Sequence, residues 1–251
     1  MESESERIEK LYELAWEANW QNDTENALKY YRLIKRERPT DWKANFYVMY
    51  FQSVYYRNTV VVDEIKEIND YLPIAFKCIK KRIYPASDII DVGYKVYDIC
   101  DTANQRNKRI LIECNNAAFG IAKIMLKKIA PEYCQRAMAI VDLLLTCGDL
   151  IEQDYESNDT LMKIACMLWK TGIETWKEAY AIYADHADRY SVMKTQYVEK
   201  LMKYQSGYSF EAPSYIGFPL TYVGILRGNS DRDFGITSDS RFTKWLMKIL
   251  S

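Results

Sequence analysis

The sequence predicts an all-α protein, a stacked helical array of about ten helices with an irregular Gly/Pro-containing C-terminal segment. Three observations carry that prediction. Glycine and proline are scarce, 9 and 6 in 251 residues, which favours long helices over many short strands joined by turns. Apolar residues recur at i, i+3, i+4 and i+7 through most of the chain, the period of a helix with one buried side. Helix-breaking residues fall between those runs, as at Asn22–Asp23, Pro39 and Pro85.

Taken in order, residues 6–20 (ERIEKLYELAWEANW) place Leu11, Leu14, Ala15 and Ala18 on one helical face. Asn22 and Asp23 interrupt the pattern, and Thr24 is the expected N-cap of a second helix burying Ala27, Leu28, Tyr31 and Ile34. Pro39 lacks an N–H and cannot continue that helix. Asp41 then caps a third, over 42–57. Residues 60–83 read as helical with a break at Asp70–Pro73, and Pro85 precedes a helix over 86–104. The next helix spans 108–129, with Ile110, Leu111, Cys114, Ala118, Ile121, Ala122 and Met125 on one face. Pro131 suits a first helical turn and is expected to open a helix over 131–154. A short helix over 159–171 ends near Gly172, and 173–205 reads as one long helix. At Gly207 the composition changes: five of the nine glycines and two of the six prolines fall in 207–235. SYIGFPLTYVGILRG reads as a strand or an extended segment, and a last helix over 239–250 carries Phe242, Trp245, Leu246 and Ile249 on one side. Three regions result: 1–85, 86–205 and 206–251.

Charge and cysteines narrow the function classes. Net charge is −1 and the isoelectric point about 6.0, so no global field draws the chain to nucleic acid or an anionic membrane. The acidic start MESESERIEK does not read as a secretory signal. The most apolar stretch, AAFGIAKIMLKKIA, is broken by Lys123, Lys127 and Lys128, so no membrane span is expected. Six cysteines stand singly in helical patterns without a CxxC pair, as expected of reduced thiols in a cytoplasmic protein.

If Pro39 closes a repeat, the segment from Ile8 to Asp41 is 34 residues long. Leu14 and Ala15 then supply the leucine and small residue of its first helix, Ala27 the small residue of its second, and Tyr31 the aromatic. This unit resembles the tetratricopeptide repeat, a helix pair that stacks into a curved solenoid. Ala18 and Ile34 depart from the pattern, and the unit ending at Pro73 is degenerate, with Val61 where a small residue belongs. The resemblance covers about a third of the chain, the 1–85 region. The wording ENALKYYRLIKRERPTDWKANFY also resembles a group of bacterial proteins with such a repeat near the N-terminus. The resemblance implies a concave groove lined by the first and third helices, with Tyr12, Trp16, Asn19, Trp20, Phe46, Tyr47 and Tyr50 at groove positions, along with Glu9, Glu13, Lys43 and Ser53. It also implies a protein or peptide partner.

The residues add to this independently. Tyr12, Trp16 and Trp20 stand at i, i+4, i+8 beside the Leu11/Leu14/Ala15 face, and a helix apolar on two adjoining sides has a second packing partner. That partner is either the chain itself or a peptide. The segment 207–226, with Tyr208, Phe210, Tyr215, Phe218 and Tyr222, is a candidate occupant. A second stripe places Tyr183, Tyr190, Tyr197 and Tyr204 seven apart, the spacing of a helix-packing seam, internal or between partners.

Catalytic, metal and cofactor chemistry finds little footing. The one histidine, His186, is flanked by Asp185 and Asp188, but neighbouring helical residues point about 100° apart and do not converge on an ion. Neither GxxxxGK[ST] nor GxGxxG occurs. KCIKKR and RNKR lie near helix ends, where the helix dipole favours cations. The expected function is a protein- or peptide-binding helical scaffold with no catalytic or metal residues and no cofactor. The alternatives are an enzyme with a carboxylate/tyrosine site inside the helical array and a nucleic-acid-binding helical protein.

Overall fold

The computed structural model describes residues 3–56, 60–117, 122–182 and 192–213, with 110–117 and 122–128 described as backbone alone. Every element among them is helical. The expected segment from 214 onward, the helix over 239–250, His186, Tyr183 and Tyr190 lie outside the described residues.

Local signals fix the first three helices. α1 (Glu4–Trp20) begins at a reciprocal cap: the Glu6 N–H donates to Ser3 Oγ at 3.2 Å, and the Ser3 N–H donates to Glu6 Oε2 at 2.7 Å. It ends with Asn22 at φ 58°, the Asn22 N–H donating to the Asn19 carbonyl and the Asp23 N–H to the Ala18 carbonyl. Those two bonds satisfy carbonyls that a helix end otherwise leaves unpaired. Asp23, rather than the expected Thr24, caps α2 (Thr24–Glu37), accepting from the Asn26 N–H at 3.1 Å. α2 buries Ala27, Leu28, Tyr31 and Ile34, the face its periodicity marks. Asp41 caps α3 (Trp42–Tyr55) by accepting from the Ala44 N–H at 3.0 Å. α3 buries Trp42, Ala44, Phe46, Tyr47, Val48, Tyr50 and Phe51, so it is covered on several sides.

Further along, tertiary packing overrides local signals. α4 (Val62–Ile79) runs straight through Pro73. Pro73 is exposed while Leu72, Ala75 and Phe76 are buried, so its ring sits on the outer side and leaves the packed face of the helix intact. α5 (Pro85–Ala117) is one helix where a break near 105–107 is expected. Asn107 is fully buried, donating to the Tyr133 carbonyl at 3.0 Å and accepting from Arg136 Nε at 2.8 Å. Arg106 donates to the carbonyls of Ser53 and Val54 at the end of α3. These anchors hold a polar stretch helical.

α6 (Ala122–Tyr155) continues through Pro131 instead of starting there, with Ile129, Ala130, Tyr133 and Cys134 all buried around it. α7 (Asp159–Ile182) continues through Gly172 instead of ending there. A Cβ at Gly172 would sit 3.0 Å from Leu145 Cδ2, and one at Gly148 would meet the Trp169 indole. These glycines permit close contact between α6 and α7 rather than marking chain reversals. Of the expected 173–205 helix, residues 183–191 lie outside the described residues; α7 supplies its first part, and a π-helical segment (Met193–Val198) runs directly into α8 (Glu199–Tyr204).

The helices pack α1 on α2, α2 on α3 and α3 on α4, followed by a trio of α5, α6 and α7. Contacts of α3 with α5 and of α4 with α6 join the two groups. The buried cluster runs unbroken from Ile8 to Leu201, across the α4–α5 connection. Among the described residues, no helix is long and apolar enough to cross a membrane.

Candidate functional site

An open cleft of about 890 Å³ lies between α1, the start of α3 and Arg82 in the α4–α5 connection. Its α1 wall carries Tyr12, Glu13, Trp16, Glu17, Asn19 and Trp20; opposite are Tyr31, Asp41, Trp42, Lys43, Tyr47 and Arg82. The i, i+4 step on α1 turns Trp16 and Trp20 outward. They are 65% and 76% exposed, and their rings stack 5.9 Å apart at 20°. Ala15 and Ala18, on the adjoining side of the same helix, are buried.

The cleft floor is made rigid by phenols bonded to carboxylates. The Tyr12 hydroxyl donates to Asp41 Oδ1 at 2.5 Å, so the cap of α3 also fastens α1. Tyr31 stacks on Tyr47 at 4.6 Å and 22°, and the Tyr47 hydroxyl donates to Asp91 on α5. Burial, reinforced by the Asp41 hydrogen bond, raises the Tyr12 pKa well above the ordinary tyrosine value. Burial and the Asp91 charge do the same for Tyr47, and burial for Tyr31. All three remain neutral at physiological pH, and Tyr12 and Tyr47 act as donors.

Of the residues the sequence places at the groove, Tyr12, Trp16, Asn19, Trp20 and Tyr47 line this cleft. Phe46 and Tyr50 do not. Phe46 is fully buried in the core. Tyr50 points toward α5, donating to Asp98 at 2.6 Å with the Lys95 ammonium 4.3 Å from its ring centre. Lys43 and Glu13 are also in the cleft, whereas Glu9 and Ser53 do not line it. Glu17 lies one helical turn from Glu13 and follows from the same stripe of α1. Arg82 is distant in sequence and has no local signal.

Tyr197 and Tyr204 of the heptad stripe pack inside the chain. The Tyr197 hydroxyl donates to Asp149 Oδ2 at 2.8 Å, and Asp149 Oδ1 accepts from Trp169 Nε1 at 3.0 Å and Lys200 Nζ at 2.8 Å. The Tyr204 hydroxyl lies 2.9 Å from Glu152 and 2.7 Å from Glu156, either of which can accept its one proton, with its ring against Trp169. The described start of the 207–226 segment lies along α7. The Lys177 ammonium is 5.7 Å from the Phe210 ring centre, and Tyr208 feels the Glu174 charge. No residue of 207–213 lines the cleft. Among the described residues, no cluster of His, Cys, Asp or Glu is arranged to hold a metal ion.

Comparison of the chain with protein-family models, with curated proteins and with solved structures found no match.

Proposed function

We propose that this protein is a helical scaffold that binds a linear peptide segment of another protein in the cleft between α1 and α3. One observation carries the reading: two tryptophans, 65% and 76% exposed, are stacked at the rim of an aromatic cleft. Exposed large apolar patches mark interaction sites, and tryptophan is the residue type most enriched among binding hot spots. The floor beneath the rim is preorganised by Tyr12–Asp41 and Tyr47–Asp91, which lowers the ordering cost of binding.

The same proposal includes the finer description of the fold. α1 and α2 behave as a tetratricopeptide-like pair, supported by Ala15 and Ala27, both fully buried on packed helices. The groove is then the wall that α1 and α3 share, and a cytoplasmic, bacterial setting accompanies that resemblance.

The test is a linear-peptide display selection against the wild-type chain and the Trp16→Ala/Trp20→Ala variant. The wild type should enrich a peptide family whose binding changes indole emission. The variant should keep its helical content and fail to retain those peptides. No enrichment by the wild type, or the same peptides enriched by both proteins, would overturn the proposal.

A further inference from the structure

The charges on the two walls of the cleft are engaged differently. On the far wall, Asp41 accepts from Tyr12 at 2.5 Å and from the Ala44 N–H at 3.0 Å. Arg82 is paired with Asp88 at 3.3 Å, and the Lys43 ammonium lies 5.9 Å from the Tyr47 ring centre. On the α1 wall, Glu13 and Glu17 are exposed, one helical turn apart and interleaved with Trp16 and Trp20. Glu17 accepts from the Gln21 amide at 3.4 Å. Among the described residues, neither carboxylate forms an ion pair. The patch occupies the C-terminal part of α1, whose last turn contains no basic residue, and a helix C-terminus carries the negative pole of the helix dipole.

We infer that this wall takes an arginine side chain of the partner segment, its guanidinium over the Trp16 and Trp20 rings and its N–H groups donating to Glu13 and Glu17. The inference rests on the peptide-binding reading above and specifies its chemistry. Indole faces attract cations more strongly than other aromatic rings do. The rings are stacked at 20° and both remain largely exposed, so indole face is left open to solvent, which a planar guanidinium can cover and a compact ammonium cannot. The guanidinium also presents a fork of donors suited to carboxylates. An acidic segment would meet Lys43 on the far wall, but it would lie against Glu13 and Glu17 and would reach Arg82 only in competition with Asp88.

The test uses the full chain and blocked linear peptides of equal length in which leucine alternates with arginine, citrulline or glutamate. Citrulline keeps the planar shape of arginine without its charge. Binding is read by fluorescence anisotropy at low and high salt, and circular dichroism checks that each variant is folded. The arginine peptide should bind at least about ten-fold tighter than the other two, with the margin shrinking as salt rises. In Glu13→Gln/Glu17→Gln that margin should fall to about two-fold, with citrulline-peptide binding unchanged. In Trp16→Ala/Trp20→Ala all binding should be lost.

Equal binding of the arginine and citrulline peptides, tighter binding of the glutamate peptide, or a margin that survives the glutamine pair overturns the arginine assignment. In those cases, dependence on the tryptophans would still support the cleft as a peptide site. No binding of any of the three peptides to the wild type also overturns the assignment. Arginine-peptide binding that is indifferent to the tryptophan substitutions overturns both readings.

Discussion

Asp41→Ala removes two things at once, and the structure gives their sizes. Asp41 caps α3 through the Ala44 N–H at 3.0 Å and ties α1 to α3 through the Tyr12 hydroxyl at 2.5 Å. Loss of an aspartate cap costs about 1 kcal/mol. A partly buried hydrogen bond to a charged group contributes about 1.5–3 kcal/mol. Together they predict that Asp41→Ala destabilises the chain by about 2.5–4 kcal/mol. Tyr12→Phe removes the second contribution alone and should cost about 1.5–2 kcal/mol, since it leaves the Asp41 carboxylate with its cap bond and access to water. The double variant should then be no less stable than Asp41→Ala by more than about 0.5 kcal/mol, because the shared contact is lost only once. Urea unfolding monitored by circular dichroism gives all four corners of this cycle. Additive costs for Tyr12→Phe and Asp41→Ala would show that the two side chains do not interact, and the account of how α1 is fastened over the cleft would fail.

Four further outcomes follow from the packing and the buried groups. Gly148→Ala drives a methyl into the buried Trp169 indole and should destabilise by about 2 kcal/mol in thermal or urea unfolding, overpacking outweighing the gain in helix propensity. Gly172→Ala meets the flexible end of Leu145 at 3.0 Å and should cost less than about 1 kcal/mol. Burial raises the pKa values of Tyr12, Tyr31, Tyr47, Tyr50 and Tyr197 in the folded chain, and that of Tyr71 to about 12. The stability linked to these phenols is therefore complete below the unfolded value near pH 10 and declines as pH rises above it. An alkaline titration followed by ultraviolet absorbance should show this subset ionising only with loss of helical signal. Burial likewise raises the pKa values of the Cys100, Cys134 and Cys147 thiols, so peptide mapping after treatment with a thiol reagent should find them unlabelled until denaturant is added.

How much of this was legible in the sequence depended on whether the controlling interaction was local. The end of α1, the end of α2 and the start of α3 follow from Asn22, Pro39 and Asp41, each acting on its own neighbours. The breaks expected near 105–107, at Pro131 and at Gly172 are absent because distant contacts hold those stretches helical. Asn107 is bonded to the Tyr133 carbonyl, and Gly172 lies against Leu145. The cleft divides in the same way. Tyr12, Trp16 and Trp20 declare themselves by a four-residue step on a helix whose other side is already apolar. Phe46 and Tyr50 sit on α3, which is apolar around most of its circumference, so periodicity does not say which way they face. Arg82 reaches the cleft through the path of α4, which nothing near residue 82 encodes.

The Asp149 hub has a consequence for how the chain's later part is attached. α8 meets the trio through the buried Leu201 and, around it, through charge: Lys200 bridges Asp149 and Glu152, while Lys203 and Tyr204 meet at Glu156. Lys203 and Tyr204 hold the Glu156 pKa below its ordinary value. That part of the attachment is present above the ordinary glutamate pKa and lost as pH falls through the lowered one. Brine and acid therefore act on this clasp first, while the greasy seams among α5, α6 and α7 stay shut. The described chain therefore closes on a rim of charge that answers to solvent conditions, set around an apolar anchor that does not.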